Sequence, residues 1–77
     1  MAGVLAAHVA YKQADDEALE LRARARARLG LAIALERDGG TPQETIARRL
    51  GRTREQVRRY QQAYRDWAEK HPGETLA

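Results

Sequence analysis

The chain has 77 residues, no Cys, 14 Lys+Arg against 11 Asp+Glu, and a formal net charge of +3. That length holds one domain at most, with a thin core. The core is thinner still because 15 of the 33 apolar residues are Ala. No run of about 18 apolar residues is available to span a membrane. The start, Met1-Ala2-Gly3-Val4, lacks the basic flank and apolar stretch of a secretory signal. Without Cys there are no disulfides, thiolate zinc sites or thiol nucleophiles. His8 and His71 sit near opposite ends without a partner at metal-ligand spacing, and no Gly-rich phosphate loop occurs. The expectation is a binding protein and not an enzyme, with no catalytic residue, no metal and no cofactor.

Charge is unevenly placed. Residues 1–20 carry Lys12 against Asp15, Asp16, Glu17 and Glu20, a net of −3. Residues 48–65 carry Arg48, Arg49, Arg52, Arg54, Arg58, Arg59 and Arg65 against Glu55, a net of +6. A dense arginine segment suits a polyanionic partner.

Residues 2–38 contain no Pro and are rich in Ala and Leu, which predicts helix. Val4, Ala7, Tyr11, Ala14, Ala18, Leu21, Ala25, Ala32 and Leu35 recur at 3-4 spacing, interrupted at Arg28. Such a stripe is a helix seam with coiled-coil spacing. Ala14-Asp15-Asp16-Glu17 allows a division, with Asp15 or Asp16 capping a second helix, but one long helix is equally compatible. The period-two run Arg22 to Arg28 resembles a strand pattern, yet Ala favours helix there. On a helix these arginines serve solubility or auxiliary phosphate contact, and Glu20 can pair with Arg24.

Asp38-Gly39-Gly40 predicts the end of this helix. Thr41 as N-cap, Pro42 at the first helical position and Glu44 at the capping-box position predict a short helix over 42–50. Its expected buried residues are Ile46, Ala47 and Leu50. Gly51 ends it, and Thr53 caps a helix over 54–70 that closes at His71-Pro72-Gly73. Residues 73–77 read as a loose tail, with Met1 and Leu76 frayed.

Two helices with Gly in a three-residue turn have helix-turn-helix spacing. The pairs Ile46-Ala47 and Leu50-Gly51, the cap Thr53 and the run Arg54-Glu55-Gln56-Val57-Arg58 make the segment resemble the promoter-reading terminal region of bacterial sigma factors and related small regulators. The likeness covers about 27 residues, or about 45 if Leu29 to Leu35 supplies the preceding helix of a trihelical core. It lacks the polymerase-binding region of sigma factors, which favours a small DNA-binding regulator. The resemblance implies base contacts at Arg54, Glu55 and Arg59.

The helical wheel addresses the same question independently. At about 100° per residue, Tyr60, Tyr64 and Trp67 share a side with Val57. Glu55, Arg58, Arg59 and Gln62 fall on the other, with Arg54 at the edge. Arg, Gln and Glu are side chains that read base edges in a major groove. Glu55 facing a polyanion should read a base or orient an arginine. Thr41, Arg48, Arg49, Arg52 and Thr53 flank the helix starts and the turn, where phosphate is the nearer partner. The aromatic stripe is expected to be core or interface packing, with stacking on single-stranded bases as the alternative.

The reading is therefore an all-α chain: an N-terminal helical arm over 1–15, a helix-turn-helix domain over 16–72, and a tail. The expected partner is double-stranded DNA in a bacterial, phage or plasmid setting, bound by a homodimer through helix 54–70, with a cytoplasmic, nucleoid-associated location. The seam along residues 4–25 would supply the dimer surface. The alternative is a protein-interaction module whose arm docks on a larger protein such as RNA polymerase.

Overall fold

The computed structural model describes residues 2–76. It is all-helical, with three helices: α1 (Ala2–Asp38), α2 (Gln43–Leu50) and α3 (Arg54–Lys70). The helix α1 runs unbroken, so neither Asp15 nor Asp16 caps a second one. No Gly or Pro stands between Val4 and Leu29, and Ala, Leu, Glu and Arg propagate the helix through the acidic run. Its 37 residues correspond to about 55 Å of helix, which sets the longest dimension of the molecule at 59 Å.

Only the C-terminal part of α1 meets the other helices. Residues 3–26 are exposed throughout, whereas Ala27, Gly30 and Ile33 are buried. The packed face is thus not the 3-4 seam, every member of which is exposed from Val4 to Leu35. The expected Glu20–Arg24 pair is not among the ion pairs of the described residues.

Two small clusters hold the body together. Ile33, Ile46, Ala47 and Val57 pack with Leu29 and Tyr60, joining all three helices. Val57 is fully buried, and such burial contributes about 1.5–3 kcal/mol. Ala27, Trp67 and Leu76 pack with Leu31 and Tyr64 further along α3. Between them α3 crosses α1 at Gly30, where an added Cβ would collide with the Tyr60 carbonyl and lie 2.9 Å from Tyr64 Cβ. Only hydrogen at that position lets the two backbones approach so closely.

The helix ends follow from hydrogen-bond closure. The Thr41 N–H donates to the Glu36 carbonyl and the Gly40 N–H to Arg37, each at 3.0 Å, which is the Schellman arrangement. The same arrangement closes α2, with Arg52 N–H donating to Ala47 and Gly51 N–H to Arg48. Gly51 takes φ +65° there, a left-handed conformation that favours glycine.

Three expectations about local structure are corrected. Thr41 does not cap α2. Its N–H closes α1, and the position before the helix is Pro42, in extended backbone (φ −64°, ψ 146°) with no side-chain cap. With Thr41 committed to the Glu36 carbonyl, the chain turns into the helix only at Gln43. Leu50 is 41 % exposed and not core, because it stands at the last turn of α2 on the lip of an apolar groove. Leu76 is neither frayed nor loose: it is 3 % exposed against Ala27 and Trp67. Past Pro72-Gly73 the chain folds back, and Arg28 Nε donates to the Leu76 carbonyl at 2.9 Å. A polar residue joins the packed face of α3: Gln61 is buried, and Arg37 donates to its Oε1 at 3.4 Å.

Candidate nucleic-acid interface

The recognition-helix candidate is α3, and its start is built as its sequence implies. Thr53 Oγ1 accepts from the Gln56 N–H at 3.1 Å, and Gln56 Oε1 accepts from the Thr53 N–H at 2.9 Å. This reciprocal capping box satisfies two backbone donors that a helix start leaves open. Val57 and Trp67 are buried and Tyr60 and Tyr64 half-buried, so the apolar stripe faces α1 and α2. Stacking on single-stranded bases is disfavoured by that burial. The opposite side, with Arg54, Glu55, Arg58, Arg59 and Gln62, is exposed.

Within that face Glu55 holds two arginines. Arg58 Nε donates to Glu55 Oε2 at 2.9 Å and Arg58 Nη2 to Oε1 at 2.7 Å, a bidentate pair. Arg59 Nε donates to Glu55 Oε1 at 3.4 Å. The Arg58 hydrogen bonds, followed by the charges of Arg58 and Arg59, lower the Glu55 carboxyl from an ordinary value near 4.5 to about 2. Glu55 in turn raises the Arg58 guanidinium. Of the two roles open to Glu55, orienting an arginine is the one formed in the free protein. A bidentate carboxylate fixes the plane of a guanidinium, and that plane decides whether two parallel donors can meet a base edge.

The other residues divide. Gln62 Nε2 donates to Asp66 Oδ1 at 3.0 Å, and Arg65 approaches Gln62 Oε1 at 3.5 Å. Gln62 is therefore tied down the helix and not into the Glu55 cluster. Arg54 is exposed beside it. Arg48 and Arg52 are exposed on α2 and its turn. Arg49 points the other way: Nη1 pairs with Glu36 Oε2 at 3.4 Å. Thr41 is half-buried in the α1–α2 connection, and the Thr53 hydroxyl oxygen is already engaged as a cap. These last three are less free to meet an incoming anion than Arg48 and Arg52.

Arg26, which the sequence offers only as one of the run Arg22 to Arg28, is a neighbour of this face. A depression of about 270 Å³ is lined by Arg26, Arg58, Arg59, Gln62, Ala63 and Asp66. The Arg26 guanidinium lies 5.6 Å from the Tyr60 ring centroid, a cation–π contact. The signal was Gly30: an arginine one helical turn before the crossing point must come beside α3. Among the described residues no His, Asp or Glu cluster could hold a metal, and no helix is long and apolar enough to cross a membrane. Comparison with known protein families, with characterised proteins and with solved structures finds no match to this chain.

Proposed function

We propose that this chain is a sequence-specific duplex-DNA-binding protein of the helix-turn-helix kind, a transcriptional regulator whose α3 enters the major groove. The observation that supports the reading most directly is the outward face of α3. It carries Arg54, Arg58, Arg59 and Gln62, with Arg58 and Arg59 held by Glu55, while the stripe behind it is packed on α1 and α2. A helix presented on a rigid pair of neighbours with oriented, partly committed arginines can discriminate bases. In that reading Arg54, Glu55, Arg58, Arg59 and Gln62 read or orient toward bases, and Arg48, Arg52, Thr53, Arg49 and Thr41 lie along the backbone. Arg26 joins the phosphate contacts. Selection of bound sequences from random duplexes tests it. A recurrent short motif with a steep loss of affinity at rising salt is expected. Enrichment of no motif and no binding at low salt would overturn it.

The exposed arm favours a second reading, in which α1 docks on a larger protein such as RNA polymerase. Val4, Leu5, Val9, Tyr11, Leu19 and Leu21 are each more than half exposed along it. Salt dependence separates the two: duplex affinity that falls steeply with rising salt supports the first reading, and its absence the second.

A further inference from the structure

The helix α1 has two distinct apolar faces, and the body uses one. Ala27, Gly30 and Ile33 turn toward α3 and α2. Val4, Ala7, Tyr11, Ala14, Ala18, Leu21, Ala25, Ala32 and Leu35 form a second stripe, all exposed, with Val4 at 64 %, Tyr11 at 72 %, Leu21 at 69 % and Leu35 at 62 %. With Arg28 in the remaining position, the 3-4 alternation has no break from residue 4 to 35. We propose that this stripe is covered by the same stripe of a second copy, running antiparallel, to make a homodimer along α1. The proposal goes beyond DNA binding and does not depend on it.

The stripe is complementary to itself in one antiparallel register. Opposed residues whose numbers sum to 39 meet as Val4 with Leu35, Ala7 with Ala32, Tyr11 with Arg28, Ala14 with Ala25, and Ala18 with Leu21. Each layer occurs twice, as a two-fold interface requires. Small residues in the Ala layers let the helices approach closely, and larger ones close the ends and the centre. Arg28 interrupts the apolar spacing; its Nε is engaged by the Leu76 carbonyl of its own chain, and the face of its guanidinium would meet Tyr11 of the second copy as a cation–π partner. Arg26 makes such a contact with Tyr60 inside the chain.

Charge selects the same arrangement. Asp15 and Glu17 flank the stripe in the N-terminal half, Arg22 and Arg24 in the C-terminal half. Antiparallel pairing sets Asp15 beside Arg22 of the second copy and Glu17 beside its Arg24. Parallel pairing in register would put Arg28 against Arg28 in the seam, which opposes association. The seam positions with their flanking neighbours supply about 20 residues per chain, the number a standard interface uses. Ala32 also lines an apolar groove of about 150 Å³ that runs past Leu29, Ile33, Ile46 and Leu50, which extends the surface open to the second copy. Leu5, Val9 and Leu19 lie off the stripe, where Lys12 and Asp16 interrupt their spacing.

The absence of native Cys makes the register directly testable without DNA. Ala14→Cys and Ala25→Cys are made singly in the full chain, and each is oxidised alone and after mixing. Disulfide dimers are expected only in the mixture. Cross-linking of each variant with itself would establish the parallel register and overturn the proposal. A second pair of variants reads the charges. Arg22→Glu with Arg24→Glu should weaken the dimer about tenfold or more, and adding Asp15→Arg with Glu17→Arg should restore it. Sedimentation of the unaltered chain should show a dimer at micromolar concentration, shifted to monomer by Leu21→Glu with helicity of the body retained. A monomer up to about 100 μM, well above the concentrations at which specific interfaces of this size form, would overturn the dimer.

Discussion

Gly30 of α1 lies against the backbone carbonyl of Tyr60 in α3, closer than any Cβ could be accommodated. This contact sets the depth at which α3 sits on α1. It fixes which residues of α3 turn inward, and hence which arginines turn out. A side chain at residue 30 would have to push α3 away from both clusters that hold it. Gly30→Ala should therefore destabilise by at least the roughly 1–3 kcal/mol typical of overpacking, although alanine is the better helix former. Thermal unfolding by circular dichroism is the measurement. An unchanged or raised midpoint would mean that the crossing can open without loss.

Thr53 and Gln56 close the start of α3 reciprocally. Each substitution removes one of the two bonds: Thr53→Ala should cost about 1 kcal/mol, and Gln56→Ala a similar or smaller amount. Chemical denaturation of both variants gives the comparison. Equal stability of Thr53→Ala and the unaltered chain would show that the cap is not maintained in solution.

Trp67 and Leu76 test whether the C-terminal tail belongs to the body. Trp67→Ala should cost about 3–5 kcal/mol, and Leu76→Ala about 2 kcal/mol or more. In a domain this small the first change can abolish folding, so the second is the more informative. A tail that contributes nothing would leave the Leu76→Ala denaturation curve superimposable on that of the unaltered chain.

The Glu55 carboxyl is held near 2 by Arg58 and, less strongly, by Arg59. A carboxylate with a lowered folded-state value stabilises above its unfolded value near 4.5, and that contribution is lost as pH falls toward about 2. Because the pair is exposed, solvent and salt screen it, and its effect on stability is small. A titration of the side-chain carboxyl by NMR reads it better. Arg58→Ala should move the Glu55 midpoint back toward 4.5, and Arg59→Ala should move it less.

Reading and anchoring separate at Arg59 and Arg48. Arg59→Ala should cost about 1–3 kcal/mol on the selected duplex and relax preference at one base pair. Arg48→Ala should weaken selected and random duplexes alike and flatten the salt slope by about one unit. Affinities for both duplexes across a salt series decide it. Equal losses on every sequence would make the chain a non-specific binder. No loss in either variant would transfer the argument to the protein-docking reading.

Much of the architecture is local and was legible in the chain itself. Ala-rich composition without internal Pro makes α1, Gly40 and Gly51 make its neighbours' turns, and Thr53 with Gln56 opens α3. Each depends on a few adjacent residues, so no long-range information is needed. The sides of α3 were legible for the same reason, since one helical period sorts Val57, Tyr60, Tyr64 and Trp67 from Glu55, Arg58 and Arg59. Periodicity misled on α1. Its cleanest apolar stripe is the exposed one, and the packed one is marked only by Ala27, Gly30 and Ile33. A helix pattern records that a face is apolar and not what covers it, and a glycine chosen for close approach carries no hydropathy signal. Thr41 and Leu76 were misread because competition settled them: Thr41 closes α1 before it can open α2, and Leu76 finds a gap that exists only once α3 lies on α1. The orientation of Arg58 and Arg59 by Glu55, and the arrival of Arg26 beside them, also needed the tertiary structure. Side chains from separate helices become neighbours only after the crossing at Gly30 is formed.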